Sequence, residues 1–161
     1  EKMRKLIEKG HIFGKVKAFI ESLEFQKRGG PHTHRLISLD CPNSPEFVDE
    51  YVSAEIPKLP DANDKSDEAE MNRKLRELVI KFQIHNCNTI CLNDSGKCSK
   101  GFPKTFSNST ITYEDRPAIY KRRSPENGGE TYKTPGGNII TNASVVPYNP
   151  AYLLAWHAHN N

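Results

Sequence analysis

Residues 13–39, FGKVKAFIESLEFQKRGGPHTHRLISL, decide the reading of this chain. Along 13–25 the apolar residues alternate, with Val16, Ala18 and Ile20 on one face and Phe19, Leu23 and Phe25 on the other, the period of a strand. Residues 27–31, KRGGP, are dense in turn formers, and 32–39 read as a second strand, which makes a β-hairpin. Within PHTHR, His32 and His34 stand two positions apart and share a strand face. A hairpin symmetric about residue 29 pairs Gln26 with His32 and Glu24 with His34, gathering two imidazoles and one or two oxygen donors. Such a set, with coordination positions left open, suits Mg²⁺ or Mn²⁺ that must also take a substrate phosphate. The plainer alternative is two histidines on a half-exposed strand beside a turn.

On either side of the hairpin the sequence reads as helices and loops. Residues 1–9 carry Met3, Leu6 and Ile7 at helical spacing, with Gly10 placed for a left-handed cap. Ser44-Pro45-Glu46 has the order of a helix start, and the spacing predicts a helix from there to about Ile56, ended by Pro57 and Pro60. Residues 59–67 look like a polar linker. Residues 68–80 bring Met71, Leu75, Leu78 and Val79 into a helical stripe. Residues 105–142 are rich in Gly, Pro, Asn and Thr, with short strand candidates at 111–113 and 139–141, and Leu153 to Trp156 reads as a core helix or strand. The expected class is α+β around a central antiparallel sheet with flanking helices, a single domain over residues 1–161.

His85, Cys87, Cys91 and Cys98, in HNCNTICLNDSGKC, supply three thiolates and one imidazole within fourteen residues, a complete set for a closed tetrahedral Zn²⁺ site in a loop insertion at about 81–104. A closed site leaves no position for substrate, so its role is structural, holding a loop that lacks apolar residues of its own. Reduced, independent thiols remain the alternative, because Cys-x3-Cys-x6-Cys is not a standard finger spacing. Cys41 is isolated and reads as a small strand-end residue. A second His-x-His, His157 and His159, has no carboxylate-bearing hairpin partner and reads as a decoy.

The net charge of +3 argues little, but its distribution is uneven. Residues 46–70 hold nine acidic side chains against two lysines, and residues 97–123 hold seven basic side chains against two acidic ones. Lys97, Lys100, Lys104, Lys121, Arg122 and Arg123 form a set suited to tracking a single DNA strand, with Tyr113, Tyr120 and Phe106 placed to stack on unpaired bases. Ordinary solvated surface is the alternative. No apolar run spans a bilayer and the basic start lacks a secretory core, so no membrane partner and an intracellular location are expected.

Several of these motifs together resemble a known family. The stretch 13–39 is similar to the start of the Helitron replication-initiator domain, where an EFQKRG stretch and a turn precede PHxH, the HUH motif of rolling-circle nucleases. The resemblance continues through FVDEYVSAEIP, KCSKGFPK, IYKRR and VVPYNPAYLLAWHAHNN. It departs at Gly30, where the family has a larger apolar residue, and at Thr33, where it has a hydrophobic one. It implies the compact α+β HUH nuclease fold and a nuclear rolling-circle transposase with a helicase C-terminal to it in the full-length protein. Gln26 is then the favoured third metal ligand, with Glu24 its competitor. The resemblance further implies single-strand nicking, in which the metal polarises the scissile phosphate and a tyrosine attacks to give a 5′-phosphotyrosine link. That tyrosine is expected beyond Asn161, because Tyr148 and Tyr152 belong to the preceding motif. Two rival readings stay open: a catalytically inactive remnant that binds single-stranded DNA, and a zinc-stabilised interaction module unrelated to DNA.

Overall fold

The computed structural model describes residues 2–25 and 31–157, which fall into two compact units, Glu1–Pro42 and Asn43–Asn161. Both mix helix and antiparallel strand, so the class is α+β. Among the described residues the sheets are two pairs, one in each unit.

The first unit is helix α1 (Lys2–Glu8) followed by the hairpin β1 (Val16–Phe25) and β2 (Pro31–Leu39). Gly10 closes α1 with φ +76°, and a β-carbon there would lie 2.8 Å from the Gly14 carbonyl oxygen, so both conformation and space demand glycine. Ile7 and Ile12 are buried, and the Arg4 guanidinium lies 5.6 Å from the centre of the Phe19 ring. A register irregularity between Val16 and Ala18 sets Val16 opposite Leu39, on the face of Ile37 and Phe19. Simple alternation groups Val16 with Ala18 and Ile20 instead, and the bulge moves it, since one extra residue reverses facing. The strand foot is tied by Lys15 and Lys17, 2.8 and 3.0 Å from the two Asp40 carboxylate oxygens.

The second unit contains α2 (Pro45–Tyr51), α3 (Asp67–Phe82), the short pair β3 (Thr131–Lys133) and β4 (Ile139–Thr141), and α4 (Pro150–Trp156). Side-chain caps start all three helices: Ser44 accepts from Phe47 N–H, Ser66 from Ala69 N–H and Asn149 from Tyr152 N–H. α3 and α4 pack around Leu78, Val79 and Leu153, with Ile56, Val145 and Tyr148 completing the core. Met71, placed in the α3 stripe by its spacing, is exposed.

Helix α2 stops at Tyr51 rather than near Ile56, and the reason is tertiary. Ser53 exchanges two backbone hydrogen bonds with Tyr148, at 2.9 and 2.8 Å. The next three residues also find remote partners: the Ala54 carbonyl accepts from Arg122, the Ile56 N–H donates to Asn142 Oδ1 at 2.8 Å, and the Glu55 carbonyl accepts from the Tyr148 hydroxyl at 3.0 Å. Arg122 is 4 % exposed, and one of its nitrogens serves the carbonyls of Ala54, Asn142 and Val145. Beside it the Glu55 carboxylate takes Arg123 Nε and Nη2 at 2.9 and 2.6 Å, the Arg123 N–H at 2.7 Å and the Asn142 amide at 3.3 Å.

Burial alone would raise the Glu55 carboxyl, but the side-chain and backbone hydrogen bonds from Arg123 outweigh it and hold it below the ordinary carboxylate value. A lowered folded value means that this contribution to stability is complete above the unfolded value near about 4.3 and is lost as the pH falls through the folded one. Replacing Glu55 by Gln is expected to lower the unfolding free energy at pH 7 by about 1.5–3 kcal/mol. It should also flatten the acid dependence below about pH 4.5, measured by urea unfolding across pH. Arg122→Met, which strips the donor from three carbonyls, is expected to cost about 3 kcal/mol or more in the same assay.

Candidate metal centre and its surroundings

Residues 91–99 form a small ribbon that explains how two of the cysteines meet. Asn93-Asp94-Ser95-Gly96 is the turn: Asn93 Oδ1 accepts from the N–H groups of Ser95 and Lys97 at 3.1 and 2.9 Å, and Gly96 takes φ +73°. Leu92 bridges to Cys98, and the Ser99 N–H donates to the Cys91 carbonyl at 2.6 Å. His85 enters from the end of α3, where Ile84 bridges to Val145 and the His85 N–H donates to the Ser144 carbonyl at 2.8 Å. At the far end of the loop the Lys104 N–H donates to the Ala143 carbonyl at 2.8 Å. Both ends of the loop are therefore anchored on consecutive residues of one segment.

His85, Cys87, Cys91 and Cys98 come together as the spacing predicted, their ligand atoms all within 4.8 Å of one another. His85 Nε2 is 3.3 Å from Cys98 Sγ and 3.8 Å from Cys91 Sγ. Zinc bonds of about 2.3 Å to sulfur and 2.0 Å to nitrogen in a tetrahedron separate ligand atoms by about 3.5–3.8 Å, so the spacing fits such an ion. The surroundings fit as well. The Phe102 ring stacks on the imidazole at 4.3 Å and 18°, and all four cysteines of the chain are free of disulfides.

The three sulfurs are held differently. Backbone N–H groups of Phe102 and Lys100 point at Cys98 and lower its thiol to about 6. Cys91 Sγ accepts the Asn88 N–H at 3.3 Å. Cys87 has an exposed residue surface, yet its sulfur faces its neighbours; desolvation there, with hydrogen bonding to Cys98 and Cys91, pushes it up to about 11.

The histidine pair lies on β2, but the register differs from a hairpin symmetric about residue 29. Glu24 stands opposite His32 and Ser22 opposite His34, a shift of two positions that leaves positions 22, 24, 32 and 34 on one face because the strand period is two. Glu24 Oε2 is 3.5 Å from His34 Nε2, a diagonal pair at the surface. Gln26 and Gly30 lie outside the described residues, as does His159. His157 takes φ +50° and caps α4, its N–H donating to the Leu153 carbonyl at 2.9 Å.

The basic set divides. Lys97 and Lys100 are exposed; the Lys104 ammonium donates to the Lys100 carbonyl at 2.7 Å and sits 5.0 Å from the Phe102 ring centre. Lys121 is 3.4 Å from Asp49, and Arg123 is committed to Glu55. Arg122 requires a correction: buried among three carbonyls, it holds the fold and offers nothing to a phosphate. Tyr113 and Tyr120 are half-buried, and Arg116, a residue the basic pattern did not single out, lies 3.6 Å over the Tyr113 ring. Tyr148 is buried with its hydroxyl donating to the Glu55 carbonyl at 3.0 Å, and desolvation pushes it up to about 12. No helix among the described residues is long and apolar enough to cross a membrane.

This is a small α+β protein with a Cys₃His cluster built into a loop. Residues 1–37, the stretch that carries α1, β1 and most of β2 with both histidines, match the family model described as the Helitron helicase-like domain at the N-terminus. No curated protein matches the chain.

One equivalent of zinc is expected in protein purified without chelator, by elemental analysis. Cys98→Ala or His85→Ala should abolish stoichiometric retention, and chelation should open residues 86–103 to protease while the core around Leu78 and Leu153 stays folded.

Proposed function

We propose that this chain is the N-terminal part of a Helitron-type rolling-circle transposase, nuclear in location, that binds single-stranded DNA and a divalent metal for strand nicking and transfer. The observation that carries the reading is the Helitron family match over residues 1–37, because that stretch holds the histidine pair. Glu24, His32 and His34 share one face of the hairpin register, and Glu24 reaches His34. Two imidazoles with a carboxylate suit Mn²⁺ or Mg²⁺, which when bound supplies charge to a phosphate. The hairpin is then one edge of an HUH-type sheet, and a helicase region of the full-length protein is the natural continuation of such an enzyme.

In this reading zinc at the Cys₃His cluster shapes the Lys97 to Lys104 loop into part of the DNA-binding surface. Lys97 and Lys100 are the phosphate contacts, supported by Lys104 and by Lys121 once it leaves Asp49. Tyr113 and Tyr120 provide ring surface for unpaired bases.

Two measurements test the proposal. Fluorescence anisotropy with single-stranded oligonucleotides should show salt-dependent binding, and Lys97→Glu with Lys100→Glu should weaken it and reduce the slope of log affinity against log salt by about 0.7 per contact removed. Absence of binding at low salt overturns the DNA reading. Mn²⁺ titration followed by electron paramagnetic resonance should show one site that is lost in His34→Ala and retained in Cys98→Ala. Retention of Mn²⁺ binding in His34→Ala removes the hairpin from the proposal.

A further inference from the structure

The Cys₃His cluster is not equally shielded on all sides. A cleft of about 520 Å³ opens onto it, lined by Leu92, Lys97, Phe102 and Pro103 and by two of the sulfur-bearing residues, Cys87 and Cys98. Cys91 does not line it, and is held by the Asn88 N–H. Cys98 is held by the N–H groups of Phe102 and Lys100. Cys87 is the exposed member, lies in irregular backbone and makes its polar contacts with the sulfurs of Cys91 and Cys98. Hydrogen bonds from backbone N–H groups draw charge from a thiolate and lower its nucleophilicity, so the sulfur without them is the one that attacks an electrophile first.

We infer that Cys87 and Cys98 form a redox modification site, at which a small hydroperoxide entering the cleft converts the two metal-binding thiolates into a disulfide and releases the zinc. The inference rests on the zinc reading of this cluster. In the first step the Cys87 thiolate attacks the peroxide oxygen; an S–O bond forms, the O–O bond breaks, and the second oxygen leaves as alkoxide or hydroxide that takes a proton from water. In the second step the Cys98 thiolate attacks the Cys87 sulfenic sulfur; the S–S bond forms and hydroxide leaves. Two thiolates lose two electrons and one hydroperoxide gains them. The sulfurs start within 4.8 Å and must close to about 2.0 Å, a movement that falls on the irregular backbone around Cys87. Zinc left with only His85 and Cys91 has lost half its ligands and dissociates, which unties the loop bearing Lys97 and Lys100.

The test uses the full chain carrying Cys41→Ser, loaded with zinc and checked by elemental analysis, then titrated with hydrogen peroxide. Zinc release is followed with a chromophoric chelator, free thiols are counted, and the disulfide is mapped by mass spectrometry after alkylation. The expected result is two thiols lost for each zinc released, a Cys87–Cys98 linkage, an alkylated Cys91, and recovery of zinc binding after thiol reduction. A linkage to Cys91, oxidation without a disulfide, or zinc retained through the titration overturns this inference and leaves the zinc reading standing. A reduced chain that takes up no zinc overturns the zinc reading and this inference with it.

Discussion

Segment 142–146 is where the second unit is held together, through main-chain groups satisfied by residues far away in sequence. Asn142 is fully buried and spends its side chain on the Ile56 N–H, the Arg123 carbonyl and the Glu55 carboxylate. The Arg122 guanidinium reaches the carbonyls of Asn142 and Val145, while Ala143 and Ser144 accept the N–H groups of Lys104 and His85. Buried backbone polar groups must find partners, and a segment with little regular structure finds them in side chains and remote loops. Burying the Arg122 guanidinium is tolerable because one of its nitrogens meets three carbonyls and the Glu55 carboxylate lies nearby, paired with the half-exposed Arg123. The loop with the cysteine cluster inherits its position from this segment, since both of its ends hang on it.

The Cys₃His cluster and the polar network lie in a unit whose apolar core is small. The core of the second unit is small, built on Ile56, Leu78, Val79, Val145, Tyr148 and Leu153. Nothing in residues 86–101 adds to it, and Ile90 and Leu92 are exposed. A metal held by the Cys₃His cluster would give such a loop order through coordination bonds instead of burial.

The hairpin of the first unit shows how period and register answer different questions. Period two places positions 32 and 34 on one face whatever the turn does. Which residue faces which is a matter of register: His32 stands opposite Glu24 rather than in the symmetric pairing with Gln26, while the irregularity near Val16 changes facing only at that end of the strand. Positions 24, 32 and 34 stay on one face because a shift of two residues preserves parity.

The sequence by itself determined what depends on neighbours along the chain. The cap Ser44, the alternation of 18–25 and the Gly10 turn are local, and each produces its structure through contacts within a few residues; the spacing of His85, Cys87, Cys91 and Cys98 named the ligand set, while long-range anchoring on Ala143 and Ser144 placed its loop. Helical spacing put Met71 in one stripe with Leu78 and Val79, yet Met71 is exposed while those two are buried. Tertiary structure alone decided the end of α2, the strand Thr131–Lys133, and the fate of the basic run 121–123. A run of Lys-Arg-Arg reads as a phosphate-binding patch, because sequence records charge and not what stands opposite it. Glu55 and the carbonyls of Ala54, Asn142 and Val145 lie between 20 and 68 residues away from Arg122 and Arg123, and only the folded chain brings them within hydrogen-bonding distance.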